Sequence, residues 1–214
     1  MANYHPNNEL LMSFAAGQLS NSLGIMVACH LEQCSACRQQ SHLYEHLGGE
    51  LLNDSPMESV STNLLDRIME QIDKPFSPER TQTSISRNED VPRPLRRFIP
   101  TTLDQLKWSG MSKSIREFDI QIDDPKFKAK LYKIAAGKEL PEHTHKGNEF
   151  TYVIDGSFSD KTCQYHEGDF ILADTQTIHQ PRASMDKDCI CFAVVDAPLK
   201  MTGFFGRMLN PFMR

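Results

Sequence analysis

The spacing of apolar residues changes once along this 214-residue chain. Before residue 74, apolar side chains recur at helical intervals in four stretches, at about 10–15, 20–30, 35–48 and 62–73. The first follows a possible N-cap at Asn7 or Asn8 and precedes Gly17, and we expect the third to end or fray at Gly48–Gly49. Because helices this short need other contacts to persist, they predict a small helical bundle.

After residue 100 the apolar residues form short runs separated by Gly, Asp and Pro, such as EFTYVIDGSF and CICFAVVDA. Runs of this composition at regular spacing predict the strands of a sandwich or barrel. Between the two patterns, five prolines and several Ser and Thr residues are typical of a linker. The sequence therefore predicts a helical domain at 1–74, a Pro-rich linker at 75–100 and an all-β domain at 101–214.

The acidic charge of the chain lies in its amino-terminal part. Residues 1–74 hold nine acidic and three basic side chains, a net charge of -6, against -5 for the whole chain. Such a surface repels phosphate backbones, so we expect no direct binding of nucleic acid and a basic protein partner instead. The first ten residues, MANYHPNNEL, lack the regions of a signal peptide, and no apolar stretch is long enough to span a membrane. We therefore expect a soluble, cytoplasmic protein that makes no membrane contact.

Residues 30–37, HLEQCSAC, bring one histidine and two cysteines together. On a helix, His30, Cys34 and Cys37 would fall within an arc of about 60°. Imidazole and thiolate are the ligands that zinc prefers, so these three residues predict a structural zinc site that requires a fourth ligand. The alternative is a pair of buried or redox-active thiols beside a solvated histidine.

Three histidines are candidates for the fourth ligand. His42 and His46 would lie about 120° and 160° around the same helix from His30. His5 lies on an amino-terminal arm that can fold back, and we predict that it completes the site. Cys29 is expected to be a small core residue.

A second cluster lies in the β domain, in the stretch GKELPEHTHKGNEFTYVIDG. His143 and His145 point to the same face of a strand, and Glu149 can return to that face after a turn. His179, from a later strand, is the predicted fourth ligand, whereas His166 is expected to be exposed. Three histidines and a glutamate suit Zn²⁺, Mn, Fe or Ni. The alternative is a metal-free barrel lined by histidines.

Two further features have open interpretations. Cys189 and Cys191 alternate with larger apolar residues, so they are either an oxidant-sensitive pair that faces the barrel interior or two small core residues. The carboxy-terminal stretch GFFGRMLNPFMR is apolar enough either to pack on the rest of the chain or to contact a partner.

The two clusters resemble known motifs. An upstream histidine followed by His-x3-Cys-x2-Cys is similar to the signature of zinc-containing anti-sigma domains, and His5, His30, Cys34 and Cys37 match it. The pattern G-x5-H-x-H-x3-E-x6-G from Gly137 to Gly156 matches the first cupin motif. The second cupin motif is looser: Gly168 and His179 are present, but the usual Pro, Gly and Asn are replaced by Asp174, Gln176 and Ala183.

In order and length the whole chain resembles the ChrR family. The resemblance implies a small all-α anti-sigma bundle that holds structural Zn²⁺, followed by an all-β cupin, a double-stranded β-helix or jelly-roll barrel. It implies that His143, His145, Glu149 and His179 bind the cupin metal. It also implies a 1:1 complex with a sigma factor of the extracytoplasmic-function (ECF, RpoE-like) class, held by the amino-terminal domain and released when the cupin senses singlet oxygen or organic hydroperoxides.

Two other functions are alternatives to this one. Cupins with these ligands also serve as metal-dependent dioxygenases or other oxidoreductases, which makes an enzyme the main alternative. A DNA-binding zinc finger is disfavoured by the acidic charge. The favoured prediction is a transcriptional regulator without catalytic residues.

Overall fold

The computed structural model describes residues 2–72, 88–99, 101–110, 112, 114–197 and 199–201, the last three by their backbone only. The apolar stretch at 203–214 and residues 73–87 of the predicted linker region lie outside this description. Within the described ranges the chain has a helical part followed by a β-rich part. The predicted two-part fold class is therefore confirmed, while the domain boundaries stay a prediction.

Four helices form the amino-terminal part: α1 (Asn8–Ala15), α2 (Asn21–Gln33), α3 (Ser35–Asn53) and α4 (Leu64–Ile72). The side chain of Asn7 caps α1 by accepting a hydrogen bond from the N–H of Leu10 at 2.9 Å. A single residue, Cys34, separates α2 from α3, and its extended backbone turns the chain sharply between them. This break directs the start of α3 back toward the end of α2.

The third helix continues through Gly48 and Gly49, so the predicted end at this pair was wrong. Neither glycine adopts a positive φ, the conformation that usually ends a helix at glycine. Glycine lowers helix stability by about 1 kcal/mol relative to alanine, but it does not bar the helical conformation. The helix ends only after Asn53, followed by the cap residue Asp54.

Ten strands form the β part within the described ranges, and all their pairings are antiparallel. The main sheet has the strand order β1-β2-β9-β4-β7, and smaller sheets pair β10 with β3 and β6-β5-β8. The strands are β1 (Ile115–Ile120), β2 (Lys128–Ile134), β3 (His143–His145), β4 (Glu149–Asp155), β5 (Ser157–Ser159), β6 (Gln164–His166), β7 (Phe170–Ala173), β8 (Arg182–Ala183), β9 (Cys189–Val195) and β10 (Leu199–Met201).

Helix α2 packs directly on the barrel. It contacts β4 and β9, and its Met26, Val27 and Cys29 are fully buried in one core together with Tyr152 and Phe192 of those strands. Cys29 is thus the core residue that the sequence predicts. Since α2 is apolar on more than one face, it can pack against α1 and α3 on one side and the barrel on the other.

Residues 88–99 also pack into this core. A short 3-10 turn at Arg93–Leu95 lies against α2, and Val91, Leu95 and Ile99 are buried. A second 3-10 turn follows at Leu103–Gln105. The proline-rich composition indicates a linker because proline interrupts the periodic spacing of apolar residues. Val91, Leu95 and Ile99 nevertheless recur every fourth residue, and their side chains are buried. Among the described residues, no helix is long and apolar enough to cross a membrane.

Candidate metal centres

Four donor side chains from four places in the chain meet at the end of α2. His30 comes from the last turn of α2, Cys34 from the break, Cys37 from the first turn of α3 and His5 from the amino-terminal arm. His5 Nδ1 lies 3.3 Å from His30 Nε2 and 3.4 Å from the Sγ atom of each cysteine. His30 Nε2 lies 3.3 Å from Cys37 Sγ. The structure thus brings together all four residues predicted for the first site.

These spacings fit one tetrahedral ion. With zinc–nitrogen bonds of about 2.0–2.1 Å, two nitrogens 3.3 Å apart subtend about 107° at the ion. Zinc–sulfur bonds of about 2.3 Å give similar angles for the nitrogen–sulfur pairs. A set of two imidazoles and two thiols at tetrahedral separations is the donor set of a closed, structural zinc site.

Burial sets the protonation of this cluster. His30 is fully buried, and this lowers its pKa, so the ring is neutral at pH 7 and can offer a lone pair. Burial and the neighbouring Cys34 raise the pKa of the Cys37 thiol to about 12. Since thiolate is the form that binds metal, an ion entering here would have to displace the thiol proton.

The barrel contributes to the first cluster as well. The carbonyl of Gly168, between β6 and β7, lies 2.8 Å from His30 Nδ1. The next residue, Asp169, accepts hydrogen bonds from the N–H groups of Asn3 and Tyr4, which directly precede His5. Sequence reasoning missed both contacts, because they join residues more than 130 positions apart and Gly168 stood out only as a cupin-motif glycine.

The other candidate ligands for the first site lie elsewhere. His42 and His46 are exposed on α3, where His42 contacts Glu45 at 2.9 Å and His46 lies 3.9 Å from Glu50. Both histidines face solvent rather than the cluster.

Three histidine Nε2 atoms converge in the barrel. His143 and His145 lie on β3, and His179 forms an isolated bridge with His143 in which each main-chain N–H donates to the other's carbonyl at 3.1 Å. His179 Nε2 lies 3.0 Å from His143 Nε2 and 3.1 Å from His145 Nε2. At bonds of about 2.0–2.1 Å these separations subtend about 95°, so three ligands occupy one side of an ion and leave the other side open.

Glu149 stands apart from the three converging nitrogens. Its carboxylate lies 3.5 Å from Nδ1 of His145, the nitrogen opposite Nε2, and accepts a hydrogen bond from Thr151 Oγ1 at 3.1 Å. Burial raises the pKa of Glu149 to about 7. In this position Glu149 orients the His145 ring, and it would have to turn to bind an ion held by the histidines.

Burial also keeps the three histidines neutral. Desolvation, with the neighbouring imidazoles, lowers the pKa of His145 and of His179 to about 4, and desolvation lowers the pKa of His143. His143 Nδ1 lies 2.8 Å from the carbonyl of Pro141, which holds the proton on Nδ1 and leaves Nε2 free. The rings therefore present lone pairs at pH 7.

A cavity of about 50 Å³ adjoins this second cluster. His143, Glu149 and His179 lie on its polar side, and the rest of its wall is largely apolar, including Tyr132, Ile134, Leu140, Phe158, Ile171 and Cys191. A cavity of this size has room for one or a few small molecules and excludes a bulky substrate.

Cys189 and Cys191 both face the interior, with their Sγ atoms 3.6 Å apart. A hydrogen bond with Cys189, together with burial, raises the pKa of Cys191, so this thiol stays protonated. His166, by contrast, is exposed as predicted.

Comparison with known proteins agrees with both parts of the chain. The family model described as the ChrR cupin-like domain matches residues 101–197. The anti-sigma-E factor ChrR of Cereibacter sphaeroides is 31% identical over 211 residues, which span 99% of this chain and 98% of that protein. The chain belongs to the ChrR family. Its relative bears the name of a regulator rather than of an enzyme.

One solved structure gives a similar result over nearly the whole chain. The crystal structure of Rhodobacter sphaeroides SigE in complex with the anti-sigma ChrR matches with a TM-score of 0.80 and 30% identity, covering 92% of this chain and 100% of the matched chain. An RmlC-like cupin protein of Ralstonia eutropha covers 46% of this chain and 68% of its own, with 25% identity and a TM-score of 0.42. The predicted membership of the ChrR family is confirmed.

Proposed function

We propose that this protein is a cytoplasmic anti-sigma factor that binds an ECF-type sigma factor 1:1 through its helical part and releases it when the cupin senses an oxidant. The relatives named above are an anti-sigma-E factor and the complex of such a factor with SigE. The similarity spans nearly the whole chain, so it supports a regulator built from both parts rather than a cupin alone.

The observation that carries this proposal is an exposed apolar surface on α3 and α4. On α4, Leu65, Ile68, Met69 and Ile72 follow the i, i+3, i+4, i+7 spacing of one helix face. Leu65 and Ile72 are each 68% exposed, and α4 buries none of its residues. A strongly amphipathic helix that leaves its apolar face in solvent is suited to bind a partner.

Helix α3 carries a second row of exposed apolar residues. Leu43, Leu47 and Leu51 recur every fourth residue on the half of α3 that lies beyond the metal cluster, and all three are exposed. We refer to these residues with the apolar face of α4 as the α3–α4 surface. Its acidic surroundings, a net charge of -6 over residues 1–74, favour a partner with a basic surface.

We assign structural Zn²⁺ to His5, His30, Cys34 and Cys37. An ion bound by these ligands would hold the arm, the end of α2 and the start of α3 together. It would therefore fix the direction of α3 relative to α2. Short helices gain much of their stability from such links, so loss of the ligands would disorder the α3–α4 surface.

We assign a divalent metal, Zn²⁺ or Mn, Fe or Ni, to His143, His145 and His179, with Glu149 as the fourth predicted ligand. Bound there, such an ion would supply a Lewis acid or redox centre beside the small cavity. The cavity admits small oxidants such as singlet oxygen or a short organic hydroperoxide, and its wall holds the Cys191 thiol. Because the cavity is small, this arrangement favours the sensing of a small oxidant and disfavours catalysis on a large substrate.

The test of this proposal is binding of an ECF-type sigma factor of the same organism, measured by calorimetry. We expect Leu65→Glu combined with Ile68→Glu to weaken binding about 100-fold, which is about 3 kcal/mol for two interface anchors. The control is Met185→Glu, an equally exposed apolar residue on the barrel. Wild-type affinity in the α4 variant would contradict the proposed surface.

A further inference from the structure

We infer that the turn between β6 and β7, residues Glu167–Asp169, is a positioning element of the first metal centre, so that the barrel sets how tightly His5, His30, Cys34 and Cys37 hold an ion. This inference rests on the metal assignment made above and adds to it residues that belong to the other part of the chain.

The first link holds His30. Its Nδ1 donates to the carbonyl of Gly168 at 2.8 Å, which places the ring proton on Nδ1 and leaves the lone pair of Nε2 directed at Cys37 and His5. A main-chain carbonyl on the far nitrogen fixes both the tautomer and the ring orientation of a histidine ligand. Here that carbonyl comes from the barrel.

The second link holds the arm that carries His5. One oxygen of Asp169 accepts from the N–H groups of Asn3 and Tyr4, and the other accepts from the N–H of His166 at 2.7 Å. The N–H of Phe170 donates to the carbonyl of Tyr4 at 3.0 Å. Asp169 is fully buried, so it clamps the arm to the turn at the two residues before His5.

The conformation of the turn depends on Gly168. Its φ of +90° lies in a region that residues with a Cβ atom disfavour. A Cβ atom there would also lie 2.7 Å from Oε1 of Gln33 at the end of α2, a contact that the flexible Gln33 side chain could relieve by moving. Any other residue would therefore strain the backbone of the turn that presents its carbonyl to His30.

The same turn reaches the second centre. Tyr165 on β6 and Ile171 on β7 both line the cavity beside the three histidines, and the ring of Tyr165 packs against that of Tyr4 at 4.8 Å. The turn thus joins two walls of the barrel cavity to two ligands of the first centre. A rearrangement of β6 or β7 would move the groups that hold His30 and His5.

Without the β6–β7 turn, the arm that carries His5 and the imidazole of His30 would have to become ordered when the ion binds. The turn orders both before binding. Loss of such outer partners typically lowers metal affinity by about 10–100-fold. We therefore expect Asp169→Asn, which replaces one acceptor oxygen by a donor, to weaken the first centre by about tenfold.

The experiment titrates Co²⁺ into the full-length protein under reducing conditions, in competition with a chelator. Only the first centre has cysteine ligands, so absorption from thiolate-to-cobalt charge transfer reports it separately from the histidine cluster. Tyr4→Ala is a second variant that leaves the barrel residues unchanged, and we expect it to weaken Co²⁺ binding severalfold. Circular dichroism monitors the fold of each variant.

The matched control is Asp124→Asn. Asp124 is also a barrel carboxylate that accepts a main-chain N–H of α2, that of Ser22 at 2.9 Å, but at the opposite end of the helix from His30. We expect this variant to bind Co²⁺ like the wild type. Wild-type affinity in Asp169→Asn and Tyr4→Ala, or an equal loss in Asp124→Asn, would overturn the inference. Absence of thiolate absorption in the wild type would instead overturn the metal assignment itself.

Discussion

His143 and His179 exchange two main-chain hydrogen bonds of 3.1 Å, and this bridge places their Nε2 atoms 3.0 Å apart. The positions of these two predicted ligands are thus set by backbone pairing between two distant segments rather than by side-chain packing alone. An ion bound there would meet donors that are already in place.

Removal of one of these donors has a specific expected result. His179→Ala should lower the metal content from two ions to one per chain, measured by elemental analysis after exhaustive dialysis, because two imidazoles alone hold an ion poorly. His166→Ala removes an exposed histidine of the same barrel and should keep both ions. Two ions in the His179 variant would exclude His179 as a ligand.

Tyr152 offers a test of the core. Its hydroxyl is buried and has no hydrogen-bond partner among the residues that the structure describes. Because an unsatisfied buried hydroxyl is costly, Tyr152→Phe should raise the free energy of unfolding by about 1 kcal/mol, measured by urea denaturation. Tyr165→Phe is the comparison, since its hydroxyl lies 3.4 Å from Asp160 and its loss should bring no gain. A destabilised Tyr152→Phe variant would show that the hydroxyl is satisfied.

Asp124 predicts a pH dependence of stability. Burial alone would raise its pKa, but hydrogen bonds from the N–H groups of Ser22, Lys126 and Phe127 outweigh burial and lower the pKa to about 2, from an ordinary value of 3.8. A carboxyl group whose pKa falls on folding stabilises the folded protein at pH values above its pKa in the unfolded chain. That stabilisation is lost as the pH falls through its pKa in the folded protein.

The stability difference between wild type and Asp124→Asn should therefore be largest above pH 4 and shrink as the pH falls toward 2. Urea unfolding at several pH values measures it, and Asp123→Asn, which replaces an exposed neighbour, should show little such difference. A difference that does not change between pH 5 and pH 2 would contradict the role of the Asp124 carboxylate.

The sequence was most informative where chemistry and spacing coincide. The His-x3-Cys-x2-Cys and His-x-His spacings identified five of the seven residues that the structure gathers into two clusters, and His5 and His179 were predicted from the arm and a later strand. Local spacing could not indicate that the Glu149 carboxylate lies at Nδ1 of His145, since a side-chain rotation decides this. Neither could it reveal the contact of Gly168 with His30, which depends on how α2 docks on the barrel.

The boundaries of helices were likewise predictable where a local signal sets them and not where other contacts decide. The start of α1 at Asn8 is set by the local cap Asn7, one of the two caps that the sequence offers. The continuation of α3 past Gly48–Gly49 was not, because glycine only weakens a helix. Packing of residues 88–99 was also hidden, since a proline-rich composition masks the few apolar side chains that become buried.

The most direct test of the proposed function is transcription in vitro from a promoter of an ECF-type sigma factor of the same organism. The reaction is supplemented with the full-length protein, with a Cys34→Ala/Cys37→Ala variant or with Cys29→Ala as the control for loss of a buried thiol outside the cluster. We predict inhibition by the full-length protein and by Cys29→Ala, and none by the double variant. Transcription that proceeds unaffected by the full-length protein would contradict the account.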